Sequence, residues 1–405
     1  MRYVVQKFGG TSVATPAQLH GIADRVQASR AEWDGVVVVV SAMGSSTDAL
    51  IRLAHDITQS PASREMDMLL STGETITAPL LAMALSSKGV PALSLTGSQA
   101  GIRTNAAHRV ARIMDVVPER VIDALQRGQV PVVAGFQGAT AEQDITTLGR
   151  GGTDTSAVAL AVAVGAQQCE IYTDVAGVYT ADPRLVPKAR LIPEIAYDEM
   201  LELATMGAKV MHPRAVEIGA AYGMPILVRS SFGGGSGTLI CHHPHMEDRD
   251  VVRGIAHDVG IAKLTVLRVP DRPGIAAAVF GPLAASHITV DIIVQNVSHG
   301  GTTDLSFTVA EVDLAESRRI LEAVSTEIGA SGLEVAADVA KVSLVGTGLL
   351  TSSSVYAQMF HTLADAGINI HMISTSEIHI TCIIDSSRVT EAVNALHGAF
   401  ALDRP

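Results

Sequence analysis

Positive charge is scarce in this chain. Twenty-nine lysines and arginines stand against 41 aspartates and glutamates over 405 residues, a formal net charge of −12. Nucleic acid and anionic membrane each need a basic surface, so neither is expected as a partner. Any anionic substrate has to meet lysines or arginines gathered at one place. Cysteine is rare too: Cys169, Cys241 and Cys382 lie far apart and two sit inside apparent strands, which argues against a disulfide framework and for reduced thiols in the cytoplasm. Aromatic residues make up only 3% of the chain, with one Trp, so the cores must come from the Ala, Val, Ile and Leu of its 47% hydrophobic fraction. Long hydrophobic runs are missing. The strongest, "GVVVVVSAMG", is far short of the roughly 20 residues of a membrane span and is β-branched, as a fully buried strand should be. The opening "MRYVVQKFGG" reaches a lysine before any adequate apolar run, so no secretory leader is expected.

What is present points to an α/β protein of about two to three domains. From the N-terminus to about Ser231, strand-like runs such as "YVVQKFG", "VVVVVSAM", "VPALSLTG", "VPVVAGFQG", "CEIYTDVAGVY" and "MPILVRSS" alternate with helical patterns such as "PERVIDALQRG" and "EMLELATMG". That order implies βαβ units around a mostly parallel sheet, whose ligands gather beyond the carboxyl ends of the strands. Polar clusters fall there: Lys7 to Ser12, Ser41 to Asp48, Thr96 to Gln99 and Asp174 to Arg184. Around "SSFGGGSGTLICHHPHMEDRD" the pattern breaks into linker composition, and Cys241, His242, His243 and His245 lack the spacing of a zinc site. Beyond it "KLTVLRVPDRPGIAAAVF" is echoed by "KVSLVGTGLLTSSSVYAQMF", each copy in a ferredoxin-like βαββαβ order.

The chemistry-bearing segments are individually ambiguous. "KFGGTSVA" puts a lysine and two glycines where a strand passes into a helix, a phosphate-friendly place, but also an ordinary turn with a solvated lysine. In "TTLGRGGTDTSAVALA", Arg150 stands in a glycine-rich loop suited to a bidentate clamp on carboxylate or phosphate, with Asp154 by itself reading as an acid at the start of a helix. "IYTDVAGVYTADPRLVPKA" could be only a loop, and Lys209 in "TMGAKVMHPRA" only a surface lysine.

Taken together, "KFGGTSVA", "VVVVVSAMGSSTDALI", "STGETITAPLLA", "LGRGGTDTSAVALA", "YTDVAGVYTADPR" and "GAKVMHPRAVEIG" resemble, in order and over essentially the whole chain, the motifs of the aspartate kinase (aspartokinase) family. The resemblance implies an amino acid kinase-like catalytic domain over 1–245 with a mostly parallel central sheet. It implies a linker plus first strand of the second ACT unit over 246–262, then ferredoxin-like ACT domains over 263–340 and 341–405. The implied reaction moves the ATP γ-phosphoryl group to the β-carboxylate of L-aspartate, giving 4-phospho-L-aspartate and ADP, the first step toward lysine, threonine and methionine. Mg²⁺ is carried on the nucleotide phosphates, with no metal site in the protein itself. Another amino acid kinase, such as glutamate kinase, and a catalytically silent amino acid sensor are the rival readings.

Residue by residue, the resemblance implies catalytic roles for Lys7, Arg150 and Asp154. ATP would be met by Lys7, Phe8, Gly9, Gly10, Thr173, Asp174, Tyr179, Asp182, Arg184 and Lys209. The aspartate pocket would hold Ser41, Thr47, Glu74, Arg150, Gly151 and Gly152, with Glu74 taking the ammonium and Arg150 a carboxylate. An amino acid effector, lysine or threonine or both, would bind Asp271, Gly274, Ile275, Ala276 and Gln295 of the first ACT unit and Asn369, Ile370, Ser374 and Thr375 of the second. A homo-oligomer, or an α2β2 assembly whose smaller subunit starts at Met246, is implied as well.

Overall fold

Runs of valine and isoleucine become strands of the two larger of three sheets. The computed structural model describes residues 1–242, 251–295, 300–349 and 352–404. His243, His245 and Met246 therefore lie outside the described residues. The chain begins β1 (Tyr3–Phe8), α1 (Pro16–Ser29), β2 (Gly35–Val40), α2 (Ser46–Ile57), α3 (Ser63–Leu70), α4 (Thr72–Ser87) and β3 (Ala92–Leu95). Next come β4 (Ile102–Thr104), β5 (Ile113–Val116), α5 (Glu119–Gln126), β6 (Val130–Ala134), β7 (Gln137–Ala139) and β8 (Ile145–Thr147). After these are α6 (Gly152–Ala163), β9 (Gln168–Thr173), β10 (Glu194–Ala196), α7 (Tyr197–Thr205), α8 (Pro213–Tyr222), β11 (Ile226–Ser230) and β12 (Thr238–Cys241). The remainder is β13 (Gly254–Pro270), α9 (Ile275–Ala285), β14 (Val290–Gln295), β15 (Thr302–Ala310), α10 (Leu314–Ile328) and β16 (Gly332–Val345), then α11 (Ser353–Asp365), β17 (Met372–Thr375), β18 (His379–Asp385) and α12 (Val389–Ala399).

These elements form two compact units. The first holds Met1–Val178, Leu191–Ala204 and the described residues from Lys209 to 242; the second holds Tyr179–Arg190, Thr205–Ala208 and the described residues from 251 onward.

In the first unit an eight-stranded sheet runs β10-β12-β11-β9-β1-β2-β6-β3. Neighbours are parallel except β11 and β12. Its centre is apolar on both faces, and Val36 through Val40 are all buried. Leu19, Ile22 and Val26 of α1 and Ala78, Leu81 and Leu85 of α4 close one face over Val4, Val38, Val40 and Val132. The buried helix α6 packs on β1 and β9. Residues Ser63–Ser87 are long and apolar enough to cross a membrane by length and composition. The carboxyls of Asp67 and Glu74 are nevertheless buried within that stretch, and Leu81 and Leu85 join the sheet core, so it reads as part of the fold's core.

Three features depart from the sequence reading. Cys241 closes β12 and pairs with Ala196, so all three cysteines are in strands and the sheet continues into the stretch of linker composition. A four-stranded sheet, β5-β4-β7-β8, has no counterpart in the sequence reading. Finally, β1 does not pass directly into a helix. Gly10–Ser12 form a single 3-10 turn, and α1 begins only at Pro16, where Thr15 and Gln18 make a capping box.

The second unit is one six-stranded sheet, β14-β15-β13-β16-β18-β17, with every neighbouring pair antiparallel. Its two central strands are long and shared by both repeats. Lys263–Pro270 of β13 pairs with β15, while Gly254–Asp258 pairs with Lys341–Val345 of β16, which itself pairs with β18. The bulge beyond Asp258 marks the changeover. Helices α9 and α10 cover Leu264, Val266 and Phe307; α11 and α12 cover Val342, Leu344, Ile380 and Cys382 together with Ala181 and Val186.

Candidate active site

The parallel register brings Lys7, Ser41 and Thr173 to the carboxyl edge of adjacent strands β1, β2 and β9. Lys7 Nζ lies 2.6 Å from Asp154 Oδ1 in the first turn of α6, and each side chain is 11% exposed. Such burial limits water, so the pair's charges are weakly screened. A Cβ on Gly9 would stand 3.4 Å from Lys7 Nζ, and one on Gly10 would meet Ala42 O at 3.0 Å and Gly44 O at 3.2 Å. Bare backbone is thus needed at Gly10 for the close approach of the 42–44 turn. The Gly9 N–H bonds to Tyr172 O at 3.3 Å and the Ser12 N–H to Gly9 O at 2.9 Å, whereas the first N–H groups of the 3-10 turn have no partner within it. Phe8, expected against the nucleotide, is a core residue: its ring is fully buried and stacks on Tyr172 at 4.7 Å. Only its backbone is available to a ligand.

A second group surrounds Arg150. Gly149 and Gly151 hold φ of 80° and 66°, a left-handed region that favours glycine. At Gly151 a side chain would also collide with the His212 ring. Burial draws the His212 imidazole below its ordinary pKa, opposed by nearby Asp154. Arg150 itself is exposed and has no hydrogen-bond or ionic partner among the described residues, and the same holds for Lys209. Thr153 accepts a 3.0 Å hydrogen bond from Ser41 Oγ, joining the end of β2 to the start of α6. The Arg214 guanidinium donates to Leu148 O at 2.7 Å and Ala111 O at 2.9 Å, supporting the arginine loop from below. Sequence reasoning misses Thr153 and Arg214, although each adjoins a recognisable motif.

Glu74 is 3% exposed. Its Oε1 accepts the Ala42 N–H at 3.0 Å, and its buried Oε2 has no partner. Burial pushes its pKa up to about 7, against the lowering effect of backbone hydrogen bonds. A buried carboxylate oxygen with no donor is costly unless a ligand completes it. Gly73 packs onto Ala42, and Thr47 is half-buried in the first turn of α2.

Of the other residues expected at the nucleotide, Thr173 ends β9 and donates to exposed Asp174 at 3.0 Å. Tyr179, Asp182 and Arg184 belong by their contacts to the second unit. There Asp182 accepts from the Arg184 guanidinium at 2.7 Å, which holds its carboxyl below the usual range. In that unit Asp271 lies in the turn after β13, Gly274 (φ 91°) precedes α9, and exposed Ala276 lies in its first turn. Gln295 ends edge strand β14, whereas Ser374 and Thr375 end edge strand β17, which exposed Asn369 and half-buried Ile370 precede. Gln295 and the Ser374–Thr375 pair sit on opposite edge strands with four strands between them, whereas Asp271 to Ala276 follow the central strand β13, so one sheet does not bring Gln295 and Ser374 together. Ile275 is 7% exposed and its side chain belongs to the core.

A buried Lys7–Asp154 ion pair at the carboxyl edge of a parallel sheet, with bare glycines after β1 and before α6, fits an amino acid kinase-fold phosphotransferase. Residues 2–230 match the amino acid kinase family, and 263–329 and 342–400 each match an ACT domain. An aspartate kinase of Stutzerimonas stutzeri is 47% identical over 100% of this chain and 98% of its own. An aspartokinase of Pseudomonas aeruginosa is 48% identical over 100% of this chain and 99% of its own. The crystal structure of E. coli aspartokinase III with aspartate and ADP has a TM-score of 0.83 at 27% identity, covering 98% of this chain and 99% of that one. The chain belongs to the aspartokinase family, and it is an ATP-dependent kinase with ACT domains.

Proposed function

We propose that this chain transfers the γ-phosphoryl group of ATP to the β-carboxylate of L-aspartate, with separate cations for the two substrates. The observation that carries this reading is Glu74: a buried carboxylate bonded to the Ala42 N–H, with one oxygen left unpartnered among the described residues and free to accept an ammonium. A carboxylate acceptor with a pKa near 4 is already ionised at neutral pH and needs no general base. One of its oxygens bonds to the γ-phosphorus as the bond to the β-bridging oxygen breaks, and ADP departs with that electron pair. The protein's task is to position the groups and offset their negative charge.

Lys7, with Gly9 and Gly10, holds phosphate oxygens, and Asp154 fixes the direction of the lysine ammonium through their 2.6 Å contact. Thr173, Asp174 and Lys209 extend the nucleotide site within the first unit. Ser41, Thr47, Glu74, Gly151, Gly152 and Arg150 form the aspartate pocket. Among the described residues no three His, Cys, Asp or Glu side chains converge as a metal site. Mg²⁺ bound to the nucleotide phosphates would neutralise charge and organise the triphosphate. The enzyme acts in the cytoplasm as a homo-oligomer, or with a smaller subunit begun at Met246, and lysine or threonine regulates it at the ACT edges. The catalytic domain spans 1–245 and the ACT pair 263–340 and 341–405.

The test is incubation with ATP, Mg²⁺ and hydroxylamine, which traps an acyl phosphate as a coloured hydroxamate. Aspartate gives colour and glutamate does not. Colour with glutamate alone would assign the chain to a different carboxyl acceptor.

A further inference from the structure

We propose that Asp67 is a positioning residue that fixes the backbone carrying Arg150, and so aims the arginine at the substrate carboxylate. The proposal rests on the assignment of Arg150 to that carboxylate. Asp67 lies on α3 and is fully buried. Its carboxylate gathers donors from two other segments: His108 Nδ1 at 2.7 Å, the Arg109 N–H at 3.0 Å from both oxygens, and the Thr147 hydroxyl at 2.5 Å. Taking a carboxylate out of water costs several kcal/mol unless its oxygens are well hydrogen-bonded. Here the bonds converge on the approaches to one loop.

Thr147 stands three residues before Arg150, and its carbonyl accepts the Ala111 N–H at 3.0 Å. Arg109 has a φ of 70°, in the left-handed region that a non-glycine residue occupies only when it is held there. The Arg109 carbonyl in turn lies 3.0 Å from the Cβ position of Gly149, adjacent to Arg150. Asp67 thus clamps both the strand that enters the arginine loop and the turn that abuts Gly149. Arg150 has no side-chain partner among the described residues, so its direction is set by this backbone. Met66 and Leu70 bury α3 whether or not position 67 is charged.

Asp67→Asn keeps the size but turns one acceptor into a donor facing donors. The experiment compares initial rates of the full-length wild type, Asp67→Asn, Arg150→Ala and the double variant, varying aspartate at saturating MgATP and the reverse. Asp67→Asn is expected to raise the aspartate KM roughly tenfold or more while leaving the MgATP KM within about twofold. The double variant is expected to be no worse for aspartate than Arg150→Ala alone, because Asp67 acts through Arg150. A purely structural role would lower the melting temperature without that split. An unchanged aspartate KM in Asp67→Asn, an equal rise in both KM values, or additive losses in the double variant overturns the proposal. An Arg150→Ala variant with wild-type aspartate kinetics would instead sink the arginine reading beneath it, and the proposal with it. Should Asp67→Asn not fold, Thr147→Val carries the test, since it leaves the carboxylate and its other donors in place. A raised aspartate KM alone supports the role, and unchanged kinetics overturn it.

Discussion

The ion pair of Lys7 and Asp154 joins two segments 147 residues apart in sequence, at 2.6 Å and in near-complete burial. Each partner is conspicuous in its own motif, which is why both are legible; that they touch is not, since it depends on how α6 packs against the end of β1. Asp154→Asn should lower kcat with little loss of fold, because the lysine keeps its place but loses its anchor. A pH–rate profile checks this: no limb assignable to a general base should vanish in the variant. Glu74 makes a second prediction. Its folded-state pKa of about 7 lies above the ordinary 4.5, so between those values the folded protein binds more protons than the unfolded one. Stability contributed by the protonated carboxyl is full below pH 4.5 and lost as pH rises through about 7, amounting to about 3 kcal/mol. Chemical denaturation without aspartate should show that decline in the wild type, and Glu74→Gln should flatten it while weakening aspartate binding. Equal pH dependence in both proteins would refute the assignment.

Elements are legible in proportion to their length and periodicity. The β-branched runs of β1, β2 and β6 announce buried parallel strands, and the repeat beyond 263 announces paired βαββαβ units. The sheet β5-β4-β7-β8 is hidden because its strands are only three or four residues long, too short for an alternation to register. The 3-10 turn after β1 is hidden for another reason: a glycine pair signals a break in the strand but leaves the next conformation open. The arginine loop is recognisable as glycine-rich, yet the need for Gly151 emerges only once His212 is seen against it. Gly151→Ala should therefore cost about 1–3 kcal/mol through its left-handed φ and the displaced ring, and should raise the aspartate KM. A melting curve and aspartate saturation check this together; wild-type values in both would show that the loop tolerates a side chain.

At the scale of the whole molecule, the ACT sheet separates Gln295 on β14 from Ser374 and Thr375 on β17 by five strand spacings, about 24 Å. A small amino acid cannot bridge those positions within one sheet, so on the proposed reading an effector touching both would need a second subunit. Gln295→Ala should leave uninhibited turnover intact and abolish inhibition by lysine or threonine, with a wild-type coupling of about 1–3 kcal/mol. Loss of basal rate in step with inhibition would argue against it. None of this is legible in the repeat alone, which reveals two units but not that β13 and β16 are shared between them. The central claim is that one enzyme holds two anionic substrates with different cations, Lys7 for phosphate and Arg150 for carboxylate. Steady-state kinetics of Lys7→Ala and Arg150→Ala, varying each substrate in turn, test it most directly. The account predicts that Lys7→Ala lowers turnover and MgATP use, and that Arg150→Ala chiefly raises the aspartate KM, each by roughly ten- to hundredfold. Wild-type kinetics in either variant, or the same loss for both substrates in both, would contradict it.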